Sequence, residues 1–200
     1  DGERPQLSAA LQRKIESKII DRVVAGLKAD EIDYCGFLFV GLMIVRDEPY
    51  VLEFNCRLGD PEAQALLFGL KTPLPELIEA LHTGSPRSAE RDSGICLNVV
   101  VAARGYPKKP ESGFLLRGIQ NPPAGIKVFH SSTSWNGDDW VAAGGRLFTA
   151  VTRQSSLLEC QNLIYSWLES LPFLDRVTYR KDIAVKAYRH LGLRVKMGPT

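Results

Sequence analysis

The sequence predicts a protein of the α+β class, and three observations along the chain support this. A helical pattern opens the chain, two apolar strands follow it, and the second half is typical of short strands with helices near its end. We therefore expect mostly antiparallel sheet with helices, arranged in two parts. The first part covers residues 1–84, a polar segment at 85–93 is the linker, and a smaller β-rich domain covers 94–200.

Composition and charge narrow the class of protein. The chain has 200 residues, 44% of them hydrophobic and 24% charged, which is typical of a soluble globular protein. A net charge of +2 offers no electrostatic argument for nucleic acid or for a membrane surface. No apolar run is long enough to cross a bilayer and no signal peptide opens the chain, so we expect a cytoplasmic location. Because the first residue is Asp1 rather than Met, we expect a piece of a longer protein.

The four cysteines are widely spaced and form no CxxC pair. They are Cys35, Cys56, Cys96 and Cys160. This spacing favours reduced thiols over a zinc site or a disulfide framework. The histidines are also scattered and suggest no metal site.

The first part begins with a helical stripe. Apolar residues recur every four positions from residue 11 to residue 27, and Ser8 stands where an N-cap is expected. Residues 36–45 form a buried strand by composition, and residues 50–56 return as the second strand of a hairpin after a turn at 46–49. Gly41 lies inside the first strand, which indicates a close approach of the backbone by a neighbour. A helix from Pro61 and a short helix over 74–82, closed by Gly84, complete this part.

The second part is dominated by strands. We predict strands at 95–103, 126–131, 140–142 and 146–152, with a turn at 136–138. Ser155 or Ser156 caps a helix that Pro172 ends. A last short strand at 177–179 precedes a final helix that begins at Asp182 and contains Ile183 to Tyr188.

The stretch from Tyr50 to Glu62 carries the strongest chemical signal. Alternation along a strand places Val51, Glu53, Asn55 and Arg57 on one side, and the apolar set Leu52, Phe54 and Cys56 on the other, toward a core. Glu53 and Asn55 offer two oxygens side by side, which suits a hard divalent cation such as Mg²⁺. Arg57 can hold a neighbouring anion through its fork of donors.

The residues that follow indicate the start of a helix. Asp60 is a good N-cap, Pro61 suits the first helical position and Glu62 suits the first turn, so free backbone N–H groups would point toward the anion at Arg57. The alternative is an amphipathic strand with a solvated polar face and an ordinary capped helix. Glu-x-Asn-x-Arg by itself favours this alternative, and the attached Gly-Asp-Pro-Glu reverses the preference.

Three other segments have a functional and a structural interpretation. Residues 144–146 are equally consistent with a glycine corner that lets Arg146 reach an anion and with a plain β-bulge. Residues 180–182 could hold a phosphate, but a solvated helix start is favoured. His130 is best explained as a structural histidine. The sequence shows no Ser-His-Asp or Cys-His system, no P-loop and no GxGxxG.

Several segments resemble phosphoribosylamine–glycine ligase (glycinamide ribonucleotide synthetase), and the resemblance runs from about Leu11 to Tyr188. The segments are Gly36 to Met43, Leu52 to Glu62, Gly105-Tyr106-Pro107, Val128-Phe129-His130, Gly144-Gly145-Arg146 and Arg180 to Ile183. Arg-x-Gly-Asp-Pro-Glu is specific to this ligase and its close relatives, whereas Glu-x-Asn-x-Arg is shared by the wider ATP-grasp superfamily. Phe39 stands where the family usually has Tyr, and Leu58 where it usually has an aromatic residue.

The resemblance implies a fold and a reaction. The fold would be the later part of an ATP-grasp core followed by a small β-rich domain. The reaction would join glycine to 5-phosphoribosylamine with ATP, through a glycyl phosphate, in purine biosynthesis. Glu53 and Asn55 would ligate Mg²⁺ or Mn²⁺, Arg57 would contact ATP and steady the transferring phosphoryl group, and Asp60 would position the phosphoribosylamine.

The same resemblance implies that part of the enzyme lies outside these 200 residues. The family has an N-terminal α/β domain and a glycine-rich lid over ATP, and neither is found here. We therefore expect this chain to be inactive alone and to need the missing N-terminal portion as its partner. Two alternatives remain: another ATP-grasp carboxylate–amine ligase, or a truncated, non-catalytic remnant that serves as an interaction module.

Overall fold

The computed structural model describes residues 7–85, 87–185 and 187, and it confirms the predicted α+β class. All the strand pairs are antiparallel. In chain order the elements are α1 (Ala9–Ile15), a π-helical turn (Glu16–Ile20), α2 (Asp21–Ala29), β1 (Phe39–Val45), β2 (Glu48–Asn55), α3 (Glu62–Phe68), α4 (Leu74–His82), β3 (Ile95–Ala103), β4 (Ile126–His130), β5 (Thr133–Trp135), β6 (Trp140–Ala142), β7 (Arg146–Gln154), α5 (Leu157–Glu169), a 3₁₀ turn (Leu174–Arg176) and β8 (Val177–Thr178).

Contacts divide the chain into two units. Of the described residues, the hairpin unit contains 7–60 together with Thr72–Glu90, and the sheet unit contains Pro61–Lys71 and those from Arg91 onwards. The chain therefore passes between units more than once. The domain limits predicted from sequence, with a linker at 85–93, stay a prediction.

The hairpin unit begins with a helical segment that runs from α1 through the π turn into α2. Ser8 is its N-cap, as predicted, and its Oγ accepts a hydrogen bond from the Leu11 N–H at 3.2 Å. A strict four-residue apolar period is longer than the helical repeat of about 3.6 residues, so the stripe would drift around a regular helix. The wider π turn at Glu16–Ile20 offsets this drift, and Leu11 and Ile19 are both buried.

The β1–β2 hairpin closes through a two-residue loop. Arg46 and Asp47 have φ values of 51° and 60°, as hairpin turns with matching twist require. Glu48 follows the loop and forms ion pairs with Lys14 and Lys18 of the helical segment. These two lysines therefore hold the helical segment against the start of β2.

The second helix of this unit, α4, ends as predicted. Thr83 is its C-cap, and Gly84 follows with a φ of 66°. The Gly84 N–H donates to the Leu81 carbonyl, and the Ser85 N–H donates to the Ala80 carbonyl at 2.9 Å. This pair of bonds is a Schellman motif, and it explains why glycine stands at this position.

The sheet unit is built on four strands in the order β4-β7-β3-β8, with the β5–β6 pair beside them. Helix α5 covers one face of this sheet, where Leu97, Val99 and Val101 of β3 are buried. On this face the Phe148 ring of β7 lies 6.2 Å from the Trp167 ring of α5, measured between centroids. Alternate side chains of the strands thus form the core that the apolar pattern predicted.

Helix α3 contacts the other face of the same sheet. Asn98 lies between the core residues of β3, and its side chain donates to the Pro61 carbonyl oxygen. Arg153 of β7 places its guanidinium 6.0 Å from the centroid of the Phe68 ring in α3. The sheet unit is therefore a layered arrangement of α3, sheet and α5.

Some predicted elements differ from the structure at the end of the chain. The last strand is Val177–Thr178, one residue shorter than predicted, and residues 181–184 form turns where we placed the first turn of a helix. The remainder of that predicted helix, including Tyr188, lies largely outside the described residues. Within the described residues, no helix is both long and apolar enough to cross a membrane.

The capping box of α5 predicts a measurable loss of stability. Ser156 Oγ accepts from the Glu159 N–H, and the Glu159 carboxylate accepts from the Ser156 N–H. Ser156→Ala should lower the free energy of unfolding by about 1 kcal/mol, followed by Trp fluorescence in urea. Ser112→Ala, at an exposed position outside any helix, is the control and should leave the midpoint unchanged.

The Glu48 ion pairs predict a pH dependence. Hydrogen bonds from Lys14 and Lys18 lower the pKa of Glu48 from 4.5 to about 2. The contribution of these contacts to stability is therefore complete above pH 4.5 and is lost as the pH falls toward 2. Glu48→Gln should lower the urea midpoint of unfolding at neutral pH, and its difference from wild type should shrink at low pH. Glu79→Gln is the control, because Glu79 is exposed on α4, and it should show neither effect.

Candidate metal-binding site

Glu53 and Asn55 lie side by side near the end of β2. They are two residues apart on one strand, so their side chains leave the same face of the hairpin. The opposite positions on β1 are Gly41, which pairs with Glu53, and Phe39, which pairs with Asn55. Glu53 is exposed and Asn55 is half-buried. The structure therefore places the two predicted oxygen donors on one accessible surface.

Gly41 leaves room for the Glu53 side chain. A Cβ atom at Gly41 would lie 3.0 Å from Glu53 Cγ and 3.7 Å from the Glu53 carbonyl oxygen. The close approach that sequence predicted at Gly41 is thus confirmed, and the neighbour is the stem of a predicted metal ligand.

A β-bulge interrupts the hairpin beside this pair. Gly41 pairs with Glu53 but Leu42 pairs with Val51, so Leu52 is the extra residue. The prediction that Val51 shares a face with Glu53 is wrong, because a bulge breaks the alternation between them. Bulges commonly redirect side chains near functional sites, and this one directly precedes Glu53.

The apolar set of β2 is less buried than predicted. Leu52 is 63% exposed and Phe54 is 48% exposed, and Cys56 is exposed as well. Phe54 and Cys56 do line a cavity of about 240 Å³ with side chains of α2, among them Val23 and Leu27. These two residues thus face the helical segment, but the contact covers them only in part.

Arg57 and Asp60 follow the end of β2. Arg57 lies in a bend beyond the strand, is exposed, and donates from Nη1 to the Leu58 carbonyl oxygen at 2.9 Å. This bond to the backbone orients the guanidinium and leaves its other N–H groups for an anion. Asp60 is exposed and makes an interaction within the structure.

The predicted helix start is one residue too early. The N-cap of α3 is Pro61 rather than Asp60, the helix begins at Glu62, and no side chain caps it. Pro61 has φ −100° and ψ 15°, outside the helical region, and its carbonyl accepts the hydrogen bond from Asn98. Helix α3 has only seven residues and belongs to the sheet unit, whereas Arg57 and Asp60 belong to the hairpin unit, so the predicted anion site at its N-terminus stays a prediction.

These donors suit one class of cation. Across the described residues there is no cluster of three or more His, Cys, Asp or Glu side chains that could enclose a metal. A carboxylate and an amide oxygen with open space around them suit a hard cation that takes few protein ligands and completes its shell with water and phosphate oxygens, as Mg²⁺ does. Glu53 is exposed, so its side chain is accessible from solvent. The residues therefore fit a divalent cation held jointly with a phosphorylated substrate.

The glycine corner at residues 144–146 serves packing. A Cβ at Gly145 would clash with the Tyr106 ring, and one at Gly144 would lie 2.7 Å from Ser132 Cβ. The pairing of β3 with β7 shifts just after Arg146, which agrees with the β-bulge interpretation. The glycines admit a tyrosine ring and a serine.

The basic pair at residues 180–182 is also explained locally. Arg180 donates to both carboxylate oxygens of Asp182, at 2.9 and 2.7 Å. This pairing supports the structural interpretation over a phosphate site.

His130 has a structural environment. Its Nδ1 lies 2.9 Å from Thr133 Oγ1, and its ring lies 4.0 Å from the Trp140 ring, measured between centroids. Burial lowers the pKa of His130 below 6.5. The predicted structural role agrees with these contacts.

One set of residues was missed in the sequence. Glu48 anchors both Lys14 and Lys18, yet it stood in a segment interpreted only as a turn. The available signal was the spacing of the two lysines, four residues apart on one helical face, which can present two cations to one carboxylate.

Comparison with protein families gives two matches, and both are domains of the same enzyme. The model for the phosphoribosylglycinamide synthetase ATP-grasp (A) domain matches residues 2–63, and the model for the C domain of the same enzyme matches residues 96–186. The site residues Glu53, Asn55, Arg57 and Asp60 all lie within the first match. These matches confirm the resemblance found in the sequence.

Curated relatives point the same way. The phosphoribosylamine–glycine ligase of Caldanaerobacter subterraneus subsp. tengcongensis is 38% identical over 184 residues, covering 90% of this chain and 43% of the relative. The ligase of Halalkalibacterium halodurans is 36% identical over 183 residues, covering 92% of this chain and 42% of the relative. The chain thus spans less than half the length of these relatives.

Solved structures agree on the fold. The crystal structure of phosphoribosylamine–glycine ligase from Thermotoga maritima matches with a TM-score of 0.76 and 28% identity, over 88% of this chain and 44% of that one. A biotin carboxylase from Campylobacter jejuni matches with a TM-score of 0.57 and 18% identity, over 90% of this chain and 39% of that one. The second likeness shows the fold alone.

The His130 contacts predict a titration. Because burial favours the neutral ring, the His130 resonances should titrate below pH 6.5 in an NMR experiment. The penalty on the charged ring costs no stability above pH 6.5, and it lowers the stability as the pH falls through the lowered pKa of His130. Trp140→Leu should move the pKa of His130 upward by admitting water. Trp135→Leu is the control, and an equal shift in that variant would contradict the assignment to Trp140.

Proposed function

Because this chain belongs to the phosphoribosylglycinamide synthetase family, we propose that it is the C-terminal part of an ATP-dependent ligase that joins glycine to 5-phosphoribosylamine. The products are glycinamide ribonucleotide, ADP and phosphate, as in purine biosynthesis. The observation that carries the proposal is the arrangement of Glu53 and Asn55 on one face of β2, opposite Gly41 and Phe39. A cytoplasmic location belongs to the same proposal.

Glu53 and Asn55 are the metal ligands in this proposal. Their oxygens would hold Mg²⁺ or Mn²⁺ together with phosphate oxygens of ATP, because two protein oxygens do not complete the shell of either ion. When bound, the ion neutralises charge that builds on the phosphate oxygens during transfer. The exposed position of Glu53 suits a ligand that must meet a large, charged substrate.

The chemistry proceeds in two balanced steps. A carboxylate oxygen of glycine attacks the γ-phosphorus of ATP, the bond from that phosphorus to the bridging oxygen breaks, and glycyl phosphate and ADP form. The amine of phosphoribosylamine then attacks the carbonyl carbon, the bond from carbon to the phosphate oxygen breaks, and the nitrogen loses a proton as phosphate leaves.

Arg57 and Asp60 act on these steps through charge. Arg57 binds the transferring phosphoryl group and then the acyl phosphate with the guanidinium N–H groups that the Leu58 carbonyl does not use. Asp60, exposed three residues later, positions the amine of phosphoribosylamine.

The proposed enzyme needs a preceding portion as well as this chain. The chain covers 43% of the Caldanaerobacter relative, and the hairpin around the proposed ligands exposes large apolar side chains. Met43 is 50% exposed, Tyr50 57% and Leu52 63%. A surface of this kind is typical of a face that another part of a protein covers. We therefore expect this chain alone to show no turnover.

The test is a chimera that joins the preceding portion of the Caldanaerobacter ligase to this chain. The chimera should release ADP only when both glycine and phosphoribosylamine are present. Glu53→Gln should reduce kcat/KM by at least about 100-fold, because it removes charge that stabilises the transition state. Glu76→Gln, on the exposed face of α4, is the matched control and should retain the parental rate.

Each other result would contradict a part of the proposal. Turnover by this chain alone would contradict the need for a preceding portion. Release of ADP with a different amine or carboxylate would favour another ATP-grasp ligase. A folded chimera that binds ATP without turning over would favour a non-catalytic remnant. If Glu53→Gln kept the parental rate at low Mg²⁺ concentration, Glu53 would not be a metal ligand.

A further inference from the structure

Glu53 and Asn55 have very different neighbours across the hairpin. Asn55 pairs with Phe39, a large ring, and Glu53 pairs with Gly41, which has no side chain. On β1, therefore, a side chain stands opposite Asn55, and no side chain stands opposite Glu53. This asymmetry gives the Glu53 stem a place to lie.

The distances around Gly41 show how tightly that place is defined. A Cβ at Gly41 would lie 3.0 Å from Glu53 Cγ and 3.6 Å from Cε1 of Phe39. The Glu53 stem and the Phe39 ring therefore both reach the space above the Gly41 backbone. A contact of 3.0 Å is closer than carbon atoms normally pack, so any side chain at residue 41 would push the Glu53 stem aside, whereas 3.6 Å to the Phe39 ring is an ordinary contact.

Backbone freedom does not explain this glycine. Gly41 lies within β1, where it pairs with Glu53 directly beside the bulge, and it is not among the glycines with positive φ. Glycine in a strand interior is unfavourable because it packs no side chain, and it often marks a site where another group approaches closely. What Gly41 provides is space.

The bulge in β2 also affects Glu53, through the backbone of its own strand. Leu52 is the extra residue in β2, so the backbone turns immediately before Glu53. The bulge sets the direction in which Glu53 leaves the strand, and Gly41 sets where its stem can lie.

We propose that Gly41 is a positioning residue for the metal site: the space above its backbone holds the Glu53 stem so that the carboxylate stands beside the Asn55 amide. This inference rests on the proposed function, because it takes Glu53 and Asn55 as the metal ligands. Ligand orientation by a residue outside the ligand set affects metal affinity by about 10- to 100-fold in known sites.

The experiment measures Mn²⁺ binding to the 200-residue chain by paramagnetic broadening of backbone amide resonances in NMR. Titration of the wild type with Mn²⁺ should broaden the resonances of Glu53, Asn55 and their neighbours. Gly41→Val should raise the Mn²⁺ dissociation constant about 10-fold. Gly41→Ala should raise it by less, because alanine is smaller than valine and displaces the Glu53 stem less.

Gly26→Ala is the matched control, since a Cβ at Gly26 meets nothing within 4 Å. It should leave the dissociation constant for Mn²⁺ unchanged. Cross-strand contacts between β1 and β2, followed by NMR in each variant, separate a displaced side chain from a lost hairpin. A structural role for Gly41 alone would lower the unfolding midpoint of Gly41→Ala with no change in Mn²⁺ affinity.

The outcomes separate this inference from the proposed function. If the wild type shows no Mn²⁺ broadening at Glu53 and Asn55, the ligand assignment fails and the inference fails with it. If broadening occurs and Glu53→Gln removes it, while Gly41→Val and Gly41→Ala retain the wild-type affinity with the hairpin intact, the ligand assignment stands. In that case the positioning role of Gly41 is overturned.

Discussion

The antiparallel pairing of Gly41 with Glu53 is the constraint on which the proposed metal site depends. Pairing sets the face from which Glu53 and Asn55 project, and the missing side chain at Gly41 decides where the Glu53 stem can lie. The extra residue at Leu52 turns the strand just before this pair. A one-residue change of register would move both oxygen donors to the opposite face, so the hairpin must hold its register for the site to exist.

The hairpin is held in place by charge as well as by apolar contact. Glu48 accepts hydrogen bonds from Lys14 and Lys18 at the turn end of β2, and Phe54 and Cys56 line a cavity with α2 near the other end. Both contacts connect β2 with the helical segment. The two oxygen donors lie at the same end of the strand as the apolar contact, and their own face stays accessible. Accessibility is a requirement for residues that share a cation with a phosphorylated substrate.

The sheet unit shows what a completed core looks like in the same chain. Its central strands β3 and β7 carry buried residues along most of their length, with α5 on one face and α3 on the other. The hairpin, in contrast, exposes several large apolar side chains of β1 and β2. The chain belongs to the synthetase family and spans less than half the length of its relatives, which supports the proposed need for a preceding portion.

The sequence by itself determined the α+β class and most of the elements, and it singled out the residues of the proposed site. It could do so because apolar period, capping residues and oxygen donors at i and i+2 are local properties. Tertiary structure alone decided what these residues meet. The partner of Glu48, the bulge at Leu52, the N-cap at Pro61 and the fit of Glu53 over Gly41 each depend on chain segments that are distant in sequence or on the register between strands. A local pattern can suggest such a contact, as the spacing of the two lysines does, but only three-dimensional pairing decides which residue is the partner.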